Sequence, residues 1–294
     1  MSGPGRGGVA IALATHAGLP ALNDDDCLLV EALARRGVSA VPAVWDAPDV
    51  RWEGFTAVMV RSCWDYHCRL AEFLGWIAQL ERLGVAIWNP PPVLRWNSHK
   101  SYLRDLAAAG VATVPTRWVA RGEQAALADI LDVAGWREAV VKPAVSASAL
   151  GTWRTTVVTA ACDQTRFDEL LATGDVMVQP YIDVVRDQGE WSLMFWGRRY
   201  SHSVLKRPAG ADFRVQWEYG GSAVAKKPPR SVREDAERAL AVVPPETLYA
   251  RVDGVEREGR LVVMELELIE PHLFLGWEPS APDRLAQALL RIAR

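Results

Sequence analysis

The sequence predicts a mixed α/β and α+β chain in three blocks: a small doubly wound N-terminal domain, followed by two α+β units. Three observations predict it. Short apolar runs alternate with helical stretches over the first ninety residues, strand patterns then dominate to about residue 182, and a late hairpin pattern carries acids spaced two apart. Half of the 294 residues are hydrophobic and under a quarter are charged, which suits a globular enzyme of more than one domain.

The first block follows from its punctuation. "GVAIALAT" reads as a strand, and "NDDDCLLVEALARRG" as a helix with Asn or Asp at its N-cap and Gly37 closing it. "VSAVPAVW" and "FTAVMVR" are further strands, the second an apolar run of the kind covered on both faces in a parallel sheet. "LAEFLGWIAQLERLG" is an amphipathic helix ending at Gly84, and "VAIWNPPP" is a strand running into a proline stop. Ligands of such sheets sit beyond the carboxyl ends of the strands, the position of "RSCWDYH" after "FTAVMV".

A helix over "SHKSYLRDLAAAG" leads into the second block, whose segments run from "TRWVA" through "AVVKP" and "GTWRTTVVT" to "VMVQPYI". The third opens with "EWSLMFWGRRYSHSVLK", two strands about a Gly197 turn. After the polar loop "RPAGADFRVQWEYGGS" come the helix "REDAERALAVV", the strands "TLYARVD" and "RLVVMELEL" joined by the turn "GVEREG", and a terminal helix from Asp283. The resulting division is 1–94, 95–182 and 183–294.

A net charge of −3 offers no electrostatic footprint for nucleic acid or an anionic membrane. No apolar run is long enough to span a bilayer, and "MSGPGRGG" lacks a signal peptide's hydrophobic core, so a cytoplasmic location is expected. Cys27, Cys63, Cys68 and Cys162 are scattered without zinc-ligand spacing and read as free thiols.

The sharpest chemistry lies in "YARVDGVEREGRLVVMELELIE". The period of two puts Arg251 and Asp253 on one face of a strand, and Glu265 and Glu267 on one face of the next. Like charges so close in an apolar strand are costly without a cation. Three hard carboxylates without imidazole or thiolate suit Mg²⁺. An exposed edge hairpin is the bland alternative, and three acids with an arginine in register outweigh it. Lys142 inside "AVVKPAV" is a second signal, because an unpaired ammonium is costly to bury.

These residues resemble the ATP-grasp superfamily, in particular ligases similar to prokaryotic glutathione synthetase. The family's signature is an Arg-x-Asp strand, a turn, and a strand ending Glu-x-Asn; "RVD" and "ELE" match it, with Glu267 where Asn is usual. The resemblance covers roughly residues 95 to 270. It implies an ATP-grasp fold holding ATP between its central and C-terminal domains, and two Mg²⁺ ions on Asp253, Glu265 and Glu267. Lys100 and Lys142 match its phosphate-binding lysines. "VSASALGT" matches its phosphate-covering loop, with Ser146, Ala147 and Ser148 at the small-residue positions. "VMVQPYI" matches its adenine hinge, which implies nucleotide contacts at Gln179, Pro180, Tyr181 and Ile182, with Asp183 for the ribose. "GADFRVQWEYGG" resembles its Gly-acid-Phe-Arg segment, which makes Arg214 a partner of the γ-phosphate or substrate carboxylate. With Arg251 and Lys142, Arg214 forms the implied catalytic set.

"VRSCWDYH", "GEWSLMFWGRRYSHSVLKRP" and "MELELIEP" look like a smaller subgroup that includes the O-ureido-serine cyclo-ligase of cycloserine biosynthesis. That resemblance implies an ADP-forming carboxylate–amine ligase that activates a small amino-acid-like acid as an acyl phosphate. Arg61, Ser62, Trp64, Tyr66, Arg214 and Glu270 would meet the substrate. A glutathione synthetase-like amide ligase and a non-catalytic ATP-binding regulator are the alternatives, and a homo-oligomer is left open. A dinucleotide-dependent oxidoreductase is excluded, since "ATHAGLPALNDDD" has no glycine fingerprint.

Overall fold

The structure, a computed structural model, describes residues 10–209, 214–215 and 220–292. The first sheet is parallel in the order β2-β1-β3-β4, from β1 (Ala10–Thr15), β2 (Ser39–Val44), β3 (Ala57–Ser62) and β4 (Ala86–Trp88). β1 and β3 are buried along their whole length, as their unbroken apolar runs require. α1 (Asp24–Ala34) starts at Asn23, whose side chain accepts from the Asp26 N–H at 2.7 Å, and Gly37 follows it with φ +73°. α2 (Leu70–Arg82) packs Phe73 and Trp76 among Trp45, Trp52 and Tyr66.

Beyond β4 the chain does not stop at its prolines. They open α3 (Pro91–Asn97), because a proline at the first helical position forfeits only an N–H that has no intrahelical acceptor anyway. The helix expected over 98–110 shrinks to α4 (Tyr102–Ala108). Lys100 therefore sits in the turn between two helices, not on a helix, and its N–H donates to Ala144 O at 2.8 Å.

The second sheet is antiparallel in the order β5-β8-β6-β7, from β5 (Arg117–Val119), β6 (Glu138–Pro143), β7 (Trp153–Thr156) and β8 (Val176–Pro180). α5 (Leu127–Ala134) and α6 (Ala160–Thr173) cover it through Leu127, Leu131, Phe167 and Leu171. A short α7 (Val184–Gln188), absent from the sequence reading, leads into the third sheet.

That sheet is antiparallel in the order β11-β10-β9-β12-β13, from β9 (Glu190–Trp196), β10 (Arg199–Arg207), β11 (Ser222–Ala225), β12 (Tyr249–Arg257) and β13 (Arg260–Glu267). β11 extends what reads in sequence as a loop. α8 (Arg230–Ala241) packs Ala236 and Leu240 onto the sheet, and α9 (Ala281–Ile292) packs Leu285 and Leu289 against Leu29 and Leu33 of α1. The first sheet thus shares a core with the C-terminal helix.

The β12–β13 turn is tighter than "GVEREG" suggests. Only Glu258 (φ +52°) and Gly259 (φ +75°) turn, while Gly254 lies within β12 at a register shift. A Cβ there would stand 2.5 Å from Val262 O, so the strands approach only because the residue is glycine. Two asparagines, just after β4 and at the end of α3, tie the preceding chain to this sheet. Asn89 donates to Tyr249 O (2.9 Å) and Leu268 O (2.7 Å), and Asn97 donates to Leu266 O (2.8 Å) and accepts from Leu268 N–H (2.8 Å).

Candidate active site

The β12–β13 register places Arg251 opposite Glu267 and Asp253 opposite Glu265. One carboxylate oxygen from each of Asp253, Glu265 and Glu267 lies within 4.8 Å of the others. The side chains needed to offset that charge come from three directions. Lys100 Nζ is 2.7 Å from Glu265 and donates to Ser146 O at 2.9 Å. Arg251 pairs with Asp253 at 2.9 Å and also contacts Glu267. Lys206 on β10 lies 2.6 Å from Glu190 and 3.6 Å from Asp253, which also accepts from Ser192 Oγ.

The carboxylates differ in charge state. Burial works against ionised Asp253, but Arg251 and Lys206 outweigh it and bring its pKa down to about 2. Burial likewise opposes Glu265, and Lys100 and Lys142 hold it below its usual value. Glu267 goes the other way: burial, then repulsion from Glu265 and Asp253, pushes it up to about 8 despite Arg251. The protein's own cations therefore leave one carboxylate under-compensated. An all-oxygen donor set in that state fits a hard divalent cation such as Mg²⁺.

Lys142, on β6, faces the same cleft, and burial lowers its pKa to about 8. Over it lies the loop 145–152, in which Ser148 (φ +48°) and Ala149 (φ +54°) adopt successive left-handed conformations before Gly151 (φ +71°). Such a backbone can turn N–H groups toward an anion without a glycine at each position. Ser146, Ala147 and Ser148 line the cleft, as do Gln179, Pro180, Tyr181 and Ile182 at the end of β8, and Arg214. Gln179 Nε2 is committed to Thr116 Oγ1 at 2.8 Å.

Three expected site residues lie elsewhere. Asp183 is exposed at the start of α7 and does not line the cleft, whereas Glu190, seven residues on at the start of β9, does. Arg61 and Ser62 are also outside the lining. Arg61 is 1% exposed, held by Asp26 through Nε (2.8 Å) and donating from Nη2 to Pro271 O (2.8 Å). Ser62 Oγ donates to Asp26 at 2.5 Å. Both end a buried strand, and an acid from α1 reaches them before any ligand can. Trp64 and Tyr66, just beyond, do line the cleft with Glu270, whose pKa rises well above the ordinary range through burial and then Glu267.

Glu190, Lys206 and His272 also line the cleft and were missed from sequence. Lys206 carried a legible signal: "SVLKR" sets a lysine in an apolar strand just as "AVVKP" does. Residues 210–213 and 216–219, most of the glycine-rich segment around Arg214, lie outside the described residues.

The family model for the N-terminal domain of D-cycloserine synthetase DcsG matches residues 11–89. The cycloserine biosynthesis protein DcsG of Streptomyces lavendulae is 34% identical over 95% of this chain and 97% of its own. The chain belongs to the DcsG family of ATP-grasp ligases. A crystal structure of D-cycloserine synthetase DcsG superposes with a TM-score of 0.89 at 32% identity, over 97% of this chain and all of that one. D-alanine–D-alanine ligase of Bacillus anthracis, complexed with ATP, shares the fold at a TM-score of 0.67 and 16% identity, each chain covered to 97%. As an ATP-grasp ligase of this family, the protein is an ATP-dependent enzyme of C–N bond formation, and such ligases use Mg²⁺ with the nucleotide. Among the described residues no helix is long and apolar enough to cross a membrane.

Proposed function

We propose that this ligase activates a small amino-acid-like carboxylate, of the O-ureido-serine type, as an acyl phosphate that a nitrogen nucleophile then captures. The observation that carries the reading is the convergence of Asp253, Glu265 and Glu267 with Lys100, Lys142, Lys206 and Arg251 on one cleft, which Trp64, Tyr66 and Glu270 also line. The substrate carboxylate attacks the γ-phosphorus and ADP leaves. The nitrogen then attacks the acyl carbon, the C–O bond to phosphate breaks, phosphate departs and the nitrogen loses a proton.

The residues do the positioning and charge neutralisation on which such chemistry depends. Lys100, Lys142 and the backbone of 146–148 hold the phosphates. Gln179, Pro180, Tyr181 and Ile182 flank the adenine, and Glu190 takes the ribose role expected of Asp183. Arg251 and Arg214 face the transferring phosphoryl group. Asp253, Glu265 and Glu267 would hold Mg²⁺, two ions in this reading, which supplies charge compensation to the phosphate oxygens. In this scheme 1–94 and 183–294 enclose the acid, 95–182 covers the nucleotide, and the enzyme works in the cytoplasm.

The test is a phosphorus NMR record of ATP with Mg²⁺ and both enantiomers of O-ureido-serine, alongside a panel of small amino acids. ADP and inorganic phosphate are expected, with a hydroxamate when hydroxylamine is added and a product mass that tells cyclisation from two-substrate ligation. AMP with pyrophosphate would overturn the reading, because the cations converge on the terminal phosphoryl.

A further inference from the structure

Six consecutive carbonyls, from Ile269 to Phe274, are each held by a side chain from another part of the chain. Ile269 O lies 2.8 Å from Tyr249 Oη, whose one hydrogen it shares with Val60 O and Trp88 O, Glu270 O accepts from Trp64 Nε1 (3.1 Å) and Pro271 O from Arg61 Nη2 (2.8 Å). His272 O accepts from Arg251 Nη1 (3.0 Å), and Leu273 O and Phe274 O both accept from His202 Nε2 (3.0 and 2.9 Å). The segment belongs to no helix or strand, yet each of its carbonyls faces a side-chain donor from elsewhere in the chain.

On this strap the His272 ring is fixed as well. Its Nδ1 accepts the Phe274 N–H at 3.2 Å, and the ring stacks edge-on against Phe274 with centroids 4.5 Å apart. Asp25 is 3.9 Å from Nδ1, too far for a hydrogen bond. Because Nδ1 is an acceptor, the proton of the neutral imidazole sits on Nε2. That nitrogen has no hydrogen-bond partner among the described residues, although the half-buried ring lines the cleft with Trp64 and Glu270.

We infer that His272 is a specificity-determining residue: its Nε2–H donates to an acceptor oxygen of the amino-acid-like substrate. The inference rests on the proposed function for the cleft. The donor is positioned before a ligand arrives, by five side chains on the strap's carbonyls and one ring hydrogen bond, so little ordering is needed on binding. A neutral N–H suits a carbonyl, ureido or carboxylate oxygen, and a site built around such a donor discriminates against analogues that leave it unpaired.

The test uses His272→Phe, which keeps a ring but removes the donor, and His272→Gln, whose amide restores an N–H. Both are assayed by phosphate release with O-ureido-serine as probe, with KM for ATP and the melting temperature as controls. The loss of one hydrogen bond should raise the probe's KM about three- to tenfold in His272→Phe, with KM for ATP unchanged, and His272→Gln should recover most of it. An unchanged probe KM in His272→Phe overturns the inference. So does a parallel rise in KM for ATP with a lowered melting temperature, which would mark a structural role. A wild-type enzyme inert toward every acid in the panel would instead sink the functional reading, and this inference with it.

Discussion

Replacing Arg61 with methionine removes a guanidinium that is 1% exposed and leaves Asp26, whose side chain is also 1% exposed, without its cation. The lost contacts are the 2.8 Å bond to Asp26, the 2.8 Å bond to Pro271 O, and the packing of the guanidinium 5.3 Å from the Tyr249 ring centroid. Breaking a buried ion pair from one side costs about 3–5 kcal/mol. Asp26 keeps hydrogen bonds from Ser62 Oγ and Asn23 Nδ2 and lies in the first turn of α1, so the lower end, about 3 kcal/mol, is expected. Urea unfolding followed by tryptophan fluorescence measures the loss. Adding Asp26→Asn should recover at least half of it, because the stranded charge is then gone. Arg61→Lys keeps the charge but not the fork that reaches both Asp26 and Pro271, and should fall between wild type and methionine. A loss under about 1 kcal/mol in Arg61→Met, or strict additivity in the double variant, would refute the assignment of Arg61 to the fold.

Glu267→Gln should raise the Mg²⁺ concentration needed for half-maximal activity and cut turnover by roughly tenfold or more, since in the proposed site it removes a carboxylate that would ionise against the metal; superimposable Mg²⁺ titrations would remove it from the metal site. Gly254→Ala should disturb the register between Asp253 and Glu265, since the new methyl meets Val262 O, and lower the melting temperature together with Mg²⁺ affinity; an unchanged melting temperature would refute the close-approach argument. Asp25 supplies a pH dependence. Burial raises its pKa from 3.8 to about 6, with Asp26 adding to the rise and Arg61 and the Gly276 N–H opposing it. The folded state therefore binds this proton more tightly than the unfolded one. The penalty is absent below pH 3.8, grows as pH rises to about 6 and is full above that, on the order of 3 kcal/mol. Asp25→Asn should lack this slope, and unfolding curves of both proteins that run parallel from pH 4 to 7 would contradict it.

What the sequence by itself determined was local. The alternation of strands and helices in the first block, the two hairpins and the convergence of Asp253, Glu265 and Glu267 follow from periods of two and 3.6 and from turn residues a few positions apart. Lys142 was legible for the same reason, a charge set against its immediate apolar neighbours. Only the tertiary structure decided which polar residues meet a ligand and which meet the protein. Arg61 reads like a substrate-binding residue because it lies at the end of a strand at the expected edge, yet Asp26 takes its Nε and Pro271 O, 210 residues away, its Nη2. Lys100 acquired its position from prolines that began a helix instead of ending a strand, and its partner from β13. Lys206 meets Glu190 across the β9–β10 hairpin, but its approach to Asp253 and the strap at 269–274 depend on segments farther apart in the chain. A side chain's charge can be read where it stands, but its burial and partner are fixed by whatever the folded chain brings against it.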